Sequence, residues 1–410
     1  MKILAVTNLY PPYILGGYEI LCQHVVDELR GRGHKMVVLT SNHGVENDPL
    51  YQDRPDIRRR LKLYVPFGQT AQLLRHRRWL IGKYNYQLTR EVIAREKPDM
   101  IFIWSQLRLT LGPCRAAENS GVPVAYSLND EHLAGFVPSQ LNFSLQGMAR
   151  YAADHWVLPG ITLQGLKLQN VTCISQVLKD NLVAKGVPIP HAKVIYQGVP
   201  LELFPQKQED GQANAKPYVR LLYAGQLLNY KGVHTLLDAV GMMQSFIDMR
   251  KRRKLFRVTL VGDGPDSYKQ ELMKIAEKRK VSLSLLEKQP HDELSQFYQK
   301  SDIFVFPSIW QEPFGLTHLE AMSSGTPVIS TAEGGQKEFL RDGENALIFE
   351  KGRAGQLAHR ILKLIDNPGL KSYIVAKARQ TVERFFTVRR YVSDIEKFLY
   401  DSTERSRQNL

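Results

Sequence analysis

Hydrophobic and polar positions alternate along the first half of the chain as short apolar runs and as apolar residues at helical spacing. Residues 2–7 form an apolar run that predicts a buried strand, and residues 18–30 have the spacing of a helix. The same reasoning predicts strands at 36–39, 100–104, 122–127, 171–174 and 194–196, and helices at 80–95, 109–118 and 177–185. Residues 44–68 are polar and rich in Pro and Arg, which predicts a long loop.

The alternation stops in a polar, proline-containing stretch, residues 199–217, which predicts a linker. It then restarts, with strands predicted at 220–224, 256–261, 281–286, 303–306, 327–330 and 346–349, and helices at 233–243, 267–279, 292–298, 354–365, 370–383 and 388–400. Such alternation predicts parallel sheets with helices on both faces. The sequence therefore predicts an α/β fold of two doubly wound Rossmann-like domains, whose ligands bind outside the carboxyl ends of the strands.

Length and composition agree with a globular protein of two domains. The chain has 410 residues, of which 43% are hydrophobic and 23% charged. No apolar run approaches the roughly 18 to 20 residues needed to span a bilayer, and the run at the N-terminus is too short for a signal peptide. Three scattered cysteines, Cys22, Cys114 and Cys173, indicate a reducing compartment. We expect a cytoplasmic protein.

The net charge of +14 is concentrated in clusters of basic residues. They are Arg54, Arg58, Arg59, Arg60 and Lys62; Arg75, Arg77 and Arg78; and Arg250, Lys251, Arg252, Arg253 and Lys254. Such clusters attract the phosphates of nucleic acids, anionic lipids or phosphate-linked acceptors. Apolar residues beside the first two clusters indicate peripheral contact with an anionic membrane surface, on the inner face of the membrane. The alternative is a solvated basic face.

Residues 308–322 contain the most informative candidate chemistry. A predicted strand ends at 306, Pro313 and Gly315 exclude regular structure, and helical spacing begins at Leu316. The first N–H groups of that helix lack partners within it, and its dipole makes this end positive, so it favours an anion. Two glutamates lie on either side, Glu312 in the loop and Glu320 in the helix, and carboxylates accept strong hydrogen bonds from hydroxyl groups. The pattern predicts a site for a phosphate flanked by hydroxyl-rich groups.

This stretch resembles the glutamate-x7-glutamate motif of the retaining glycosyltransferases of family four, also called group 1 glycosyl transferases, which have the GT-B fold. The run E-P-F-G-L-T-x-L-E-A-M from Glu312 is followed in register by 325–329 and by Gly334-Gly335. The alternative is an ordinary strand–loop–helix unit with two solvated glutamates. The resemblance implies that Glu312 and the loop after it bind the donor sugar and that Glu320 binds the ribose. The donor diphosphate is then held by the N–H groups of Phe314, Gly315, Leu316 and Thr317.

The resemblance also implies an arrangement of the domains. Residues 1–199 would bind the acceptor and residues 200–385 the nucleotide sugar, with the two domains facing across a cleft. The last helix, residues 386–410, would pack back on the first domain. Gly16 and Gly17, between the first strand and the first helix, match the glycine loop that faces the donor diphosphate.

Two further elements of the second domain match the family with one departure. Residues 225–232 resemble the element G-R-L-x-x-x-K-G, whose arginine and lysine hold the diphosphate. Gly225 and Lys231 are kept, but the arginine is replaced by Gln226, which is neutral. Residues 261–265 match the family's V-G-x-G-P turn, in which Gly264 would allow close approach near the base.

The first domain departs from the family at a histidine. The position where the family often carries histidine next to an acidic residue is Asn129, followed by Asp130. His132 lies three places on and is a candidate replacement near the donor sugar; a structural or surface histidine is the alternative. The candidate catalytic residues are thus Glu312, Lys231 and His132.

The resemblance implies that the chain transfers a hexose with retention from a nucleotide-diphospho-sugar to a glycan or lipid-linked acceptor in polysaccharide biosynthesis. A UDP-sugar of the UDP-glucose type is favoured over GDP-mannose because uridine donors are commoner. No Asp-x-Asp pair occurs, so we expect neither a metal nor another cofactor.

Three other interpretations follow from the same residues. A catalytically impaired sugar-nucleotide-binding protein would explain Gln226 and Asn129. A basic nucleic-acid-binding protein agrees with the charge, but no zinc spacing, RNP motif or basic heptad helix occurs, so we expect no nucleic acid partner. A dehydrogenase would require a G-x-G-x-x-G motif with a downstream acid, which is missing.

Overall fold

The structure, a computed structural model, describes residues 1–45, 48, 54–67, 75–207, 218–249 and 255–408. It divides into two compact units, the first comprising Met1–Tyr196 and Tyr391–Leu410, the second Gln197–Arg390. The boundaries predicted from the sequence lie after residues 199 and 385. The basic run 250–254 and residues 208–217 of the predicted linker lie outside the described residues.

The first unit is built on a sheet of seven parallel strands in the order β3-β2-β1-β4-β5-β6-β7. The strands are β1 (Lys2–Val6), β2 (Lys35–Ser41), β3 (Ile57–Leu61), β4 (Met100–Ile103), β5 (Val124–Leu128), β6 (Val171–Cys173) and β7 (Lys193–Val194). The helices are α1 (Gly17–Gly31), α2 (Arg75–Glu96), α3 (Gly112–Glu118), α4 (Leu145–Ala152) and α5 (Gln176–Ala184). The central strands are almost wholly apolar and buried, as expected of strands covered on both faces.

Strand β3 corrects part of the loop predicted over residues 44–68, of which residues 46, 47, 49–53 and 68 lie outside the described residues. It pairs in parallel with β2 at the edge of the sheet, with Ile57 and Leu61 buried. Three consecutive arginines between them obscured the alternation of a strand. Arg58 forms a 3.0 Å ion pair with Glu96, and Arg59 donates to the backbone oxygen of Tyr10 at 2.9 Å. These two arginines of the first basic cluster therefore contact their own unit.

The second unit contains a six-stranded parallel sheet in the order β10-β9-β8-β11-β12-β13. The strands are β8 (Tyr218–Ala224), β9 (Leu255–Val261), β10 (Ser282–Leu286), β11 (Ile303–Phe306), β12 (Val328–Ser330) and β13 (Leu347–Ile348). The helices are α6 (Val233–Met249), α7 (Asp266–Lys278), α8 (His291–Lys300), α9 (Leu316–Ser323), α10 (Ala354–Asp366) and α11 (Pro368–Phe385), and α12 (Val388–Gln408) follows. The predicted α/β class with two doubly wound sheets is confirmed, and strand order reverses beside β1 and beside β8.

From Tyr391 onward, α12 belongs to the first unit. Its Glu396 carboxylate accepts from the Arg32 guanidinium at 2.7 Å and lies 2.8 Å from His34 Nε2. Tyr391 packs edge-on against Trp104, at 6.3 Å between ring centroids. Within the described ranges, no helix is both long and apolar enough to cross a bilayer.

Two loops at the carboxyl edge of the second sheet touch through their backbones. The loop after β8 contains Gly225 and Leu227, and the loop after β9 contains Gly262 and Gly264. A methyl group on Gly262 would overlap the carbonyl oxygen of Gly225, and one on Gly264 would overlap that of Leu227. Leu227 N also donates to Asp263 O at 2.8 Å. Glycine is therefore required here for packing of loop on loop.

Gly264→Ala should lower the free energy of unfolding by about 1 to 3 kcal/mol, because the backbone must shift to admit the methyl group. Gly355→Ala in α10 is the matched control, since a Cβ there meets no atom within 4 Å. We expect the control to retain or raise stability, by up to about 1 kcal/mol. Urea denaturation of both variants measures the difference; equal stability would refute the packing requirement.

Candidate active site

A buried ion pair lies at the carboxyl edge of the second sheet. Lys231 is in the loop after β8 and Glu312 in the loop after β11, and these strands are neighbours. Lys231 Nζ lies 2.6 Å from Glu312 Oε1 and 2.7 Å from Oε2. Each residue is 8% exposed, and Ser308 Oγ donates to Glu312 Oε1 at 2.8 Å. The two charges thus compensate each other where water has little access.

The backbone of Glu312 is held on both sides by the loop that contains the paired glycines. Glu312 N donates to Glu333 O at 2.9 Å, and Gly335 N donates to Glu312 O at 2.8 Å. A methyl group on Gly335 would overlap the carbonyl oxygen of Pro313. The Gly334-Gly335 pair therefore fixes the backbone of Glu312.

Helix α9 begins at Leu316, the predicted position. Gly315 precedes it with φ 130°, a conformation that side chains rarely adopt, and a methyl group there would lie 2.9 Å from His318 Nδ1. The Phe314 ring is buried against Phe339, at 5.4 Å between centroids, and anchors the loop. The N–H groups of Leu316 and Thr317 are thereby presented at the start of the helix, where an anion is favoured.

His318 is fully buried beneath this helix start, where its Nε2 lies 2.9 Å from Ser330 Oγ. Burial lowers its pKa to about 3. The imidazole is therefore neutral at physiological pH. Positive potential at this end of α9 comes from backbone N–H groups and from Lys231 rather than from the histidine.

Glu320 is 3% exposed and is held by two side chains of α8 that the sequence analysis did not identify. Tyr298 donates its hydroxyl to Glu320 Oε2 at 2.8 Å, and His291 Nε2 lies 3.0 Å from Oε1. Burial lowers the pKa of His291, but the hydrogen bond to Glu320 and its charge outweigh burial, so the net pKa is raised. Each carboxylate oxygen can accept a further hydrogen bond, so Glu320 retains capacity for a hydroxyl ligand.

The other predicted residues of the second unit occupy the two loops described above. Gly225 adopts φ 153° at the end of β8. Gln226 is exposed, and its backbone oxygen accepts the Tyr223 hydroxyl at 2.7 Å. Gly264 packs on the Leu227 carbonyl.

In the first unit, Gly16 and Gly17 lie at the start of α1. Gly17 is the first helical residue and Gly16 the residue before it. Gly16 N donates to Glu19 Oε2 at 2.8 Å, and Glu19 is fully buried. The Glu19 carboxylate therefore lies at the start of α1, where it interacts favourably with the positive end of the helix dipole.

His132 lies after β5, also in the first unit. Its Nε2 accepts the backbone N–H of Arg108 at 3.1 Å. Burial, followed by the charges of Arg78 and Arg108, lowers its pKa to about 4, so the imidazole is neutral at physiological pH. Asp130 accepts the His132 backbone N–H at 2.7 Å, and burial raises the pKa of Asp130 to about 6.

The structure therefore brings Lys231, Glu312, the start of α9 and Glu320 together in the second unit, while Gly16, Gly17 and His132 belong to the first. Among the residues with described positions, there is no group of three or more His, Cys, Asp or Glu side chains that could hold a metal ion.

Family models match both halves of the chain. The model described as Glycosyltransferase Family 4 matches residues 15–203, and that described as Glycosyl transferases group 1 matches residues 205–381. A Methanocaldococcus jannaschii protein described as an uncharacterized glycosyltransferase is 30% identical over 219 residues, which is 52% of this chain and 55% of that protein. Another from the same organism is 24% identical over 397 residues, covering 93% of each chain.

The fold is shared with solved structures. HepE of Anabaena, solved in complex with UDP and glucose, superimposes with a TM-score of 0.68 at 20% identity over 98% of this chain and 99% of that one. At that identity the likeness concerns the fold.

Removing one partner of the Lys231–Glu312 pair should cost more than removing both. Glu312→Gln or Lys231→Met leaves a buried charge uncompensated and should lower the free energy of unfolding by about 3 to 5 kcal/mol. The double variant should be less destabilised than either single variant, and therefore less than the sum of the two. A double-mutant cycle measured by urea denaturation tests this; additive losses would show that the pair is not coupled.

The stability of the chain should depend on Asp130 between about pH 4 and pH 6. The folded state binds the Asp130 proton more tightly than the unfolded state does, so this residue costs stability as pH rises towards and through its folded pKa of about 6. Asp130→Asn, which still accepts the His132 N–H, should therefore gain stability relative to wild type at pH 7.5, by at most about 3 kcal/mol, and much less at pH 4. Asp266→Asn at an exposed position is the control, and a gain independent of pH would contradict the prediction.

Proposed function

The chain belongs to the group 1 glycosyl transferases, and from that premise we propose that it transfers a hexose from a UDP-sugar to an acceptor hydroxyl with retention of configuration. The donor would be of the UDP-glucose type rather than GDP-mannose, and the acceptor a glycan or lipid-linked glycan of polysaccharide biosynthesis. The observation that carries the proposal is the buried Lys231–Glu312 pair next to the start of α9.

The pair supplies the two chemistries that a sugar nucleotide needs. A diphosphate would take Lys231 Nζ as its cation, and the hydroxyl groups of the donor sugar would donate to Glu312. Without donor, Lys231 and Glu312 compensate each other's charge. The bound donor would replace this ion pair by two charge-assisted contacts, one from Lys231 to the diphosphate and one from a sugar hydroxyl to Glu312. The N–H groups of Leu316 and Thr317 would complete the diphosphate site.

Glu320 is suited to the ribose. Tyr298 and His291 fix the orientation of its carboxylate, so it can accept ribose hydroxyls without a further loss of side-chain freedom. That Anabaena HepE was solved with UDP and glucose supports a uridine donor by analogy of fold.

The reaction would proceed by substitution on one face of the donor sugar. The bond from the anomeric carbon to the diphosphate oxygen breaks, and Lys231 and the α9 dipole stabilise the charge on the departing diphosphate. The acceptor oxygen bonds to the anomeric carbon from the same face and passes its proton to a diphosphate oxygen. This route forms no glycosyl-enzyme and requires no metal.

One observation favours a second candidate, a sugar-nucleotide-binding protein with impaired catalysis. Gln226 occupies the position where the family pattern has arginine, and it is neutral and exposed. Binding of the donor without turnover would identify this function.

Release of nucleoside diphosphate from a panel of UDP- and GDP-sugars, in the presence of EDTA, tests the proposal. We expect slow hydrolysis of one UDP-sugar and a loss of at least about 100-fold in Glu312→Gln, because the donor sugar loses its charged acceptor. Glu350→Gln, at an exposed carboxylate paired with Arg353, is the matched control. Circular dichroism at the assay temperature establishes that each variant is folded.

If no donor releases nucleoside diphosphate but one donor still raises the melting temperature, the impaired binding protein is favoured. If no donor releases nucleoside diphosphate and none raises the melting temperature, both functions are overturned. Hydrolysis that EDTA abolishes and added divalent metal restores would contradict metal independence.

A further inference from the structure

A cavity of about 400 Å³ lies in the first unit, far in sequence from Lys231, Glu312 and Glu320 of the second unit. Its walls come from residues 78–90 of α2, residues 110–115 at the start of α3, Phe136, and residues 159–161. These segments follow the carboxyl ends of β3, β4 and β5, the edge at which doubly wound sheets bind ligands.

The cavity is lined by cations and by no acidic residue among those described. Arg78, Lys83, Arg90 and Arg115 contribute to its walls. Arg115 donates to the backbone oxygens of residues 160, 162 and 164, so it builds the wall. The other three form no ion pair with any residue of the described ranges, which leaves their charges available to a ligand.

Arg78 is the most constrained of these cations. Its guanidinium carbon lies 3.9 Å from the ring centroid of Phe136 and 5.1 Å from that of Tyr64. Its Nε–H is buried and meets no hydrogen-bond acceptor in the described structure. Burial also lowers the pKa of Arg78. A partly buried cation without a counter-ion costs free energy, and an anionic ligand would offset that cost.

An exposed apolar segment directly precedes the wall residues 159–161 in the chain. Residues 141–157 include Phe143, Leu145 and Trp156, which are 85%, 84% and 73% exposed. The Arg75–Asp154 ion pair connects this segment to α2. Close by in sequence, the backbone oxygen of Pro159, which lines the cavity, accepts a hydrogen bond from Trp79 Nε1 at 3.1 Å. Exposed aromatic and aliphatic side chains beside cations are the combination that inserts into the interface of an anionic bilayer.

We propose that this cavity binds a phosphate group of the acceptor and that residues 141–157 hold the chain on the lipid surface from which that acceptor is presented. The inference rests on the proposed function, since it names the class of acceptor: a phosphate-linked lipid. It also moves the membrane contact away from residues 54–62, where Arg58 and Arg59 contact their own unit.

The phosphate site is tested by titrating the full chain with inorganic pyrophosphate in a calorimeter, with excess UDP present to occupy the donor diphosphate position. Lys83→Gln/Arg90→Gln, at two exposed residues of the cavity, should bind pyrophosphate at least tenfold more weakly than wild type, and Arg78→Gln should do the same. Lys35→Gln/Arg95→Gln removes two exposed cations of the first unit outside the cavity and should bind as wild type does. Unchanged affinity in both cavity variants, or no binding by wild type, would overturn the site.

The lipid source is tested by flotation with phosphatidylcholine vesicles, with and without phosphatidic acid. Wild type should float only with phosphatidic acid, and Phe143→Ser/Trp156→Ser should lose flotation while retaining pyrophosphate binding. Pyrophosphate binding without flotation of wild type would replace the lipid by a soluble phosphorylated acceptor and overturn the membrane contact.

Neither measurement requires turnover. If the chain hydrolyses a UDP-sugar but does not bind pyrophosphate at the cavity, the result would therefore count against this inference alone. Pyrophosphate binding in a chain that neither binds nor hydrolyses any sugar nucleotide would count against the proposed function alone.

Discussion

Lys231 and Glu312 are buried and must compensate each other's charge, and the loops at the carboxyl edge of the second sheet meet that requirement. Ser308 donates to the carboxylate, the Gly334-Gly335 pair holds the backbone of Glu312, and the neighbouring strands β8 and β11 bring the two loops together. Such supports matter because the cost of desolvating two buried ions can exceed their mutual attraction. In the donor complex that we propose, a ligand that supplies an anion and hydroxyl groups would separate the pair.

The sequence was sufficient to place Glu312, Glu320 and the first residue of α9, because Pro313 and Gly315 exclude regular structure and leave one place for the helix to begin. It did not show that Lys231 touches Glu312, since the residues are 81 positions apart and their contact depends on the order of strands. Helix α8 was predicted, but which of its side chains reach Glu320 depends on how it packs. Strand β3 was missed because its three arginines carry no apolar alternation.

The two units place their cations differently. In the second unit Lys231 is buried and pairs with Glu312, and the Glu320 carboxylate is held by Tyr298 and His291. In the first unit, the cavity beside α2 gathers cations with no acidic residue among its described lining, and the imidazole of His132 is kept neutral. Sequence composition reports the excess of positive charge but not this distribution, which arises from the three-dimensional placement of α2 against the segment after β5.

The chain enters the second unit at Gln197 and returns to the first at Tyr391. During synthesis, the second unit is therefore complete before the first. The ribosome must release residues 391–408 before Glu396 can meet Arg32 and His34, and before Tyr391 can cover Trp104. Until these contacts form, part of the surface of the first sheet remains uncovered, although its strands are synthesised before the second unit. The first unit is thus begun first and completed last, whereas domains that follow one another along a chain are completed in the order of their synthesis.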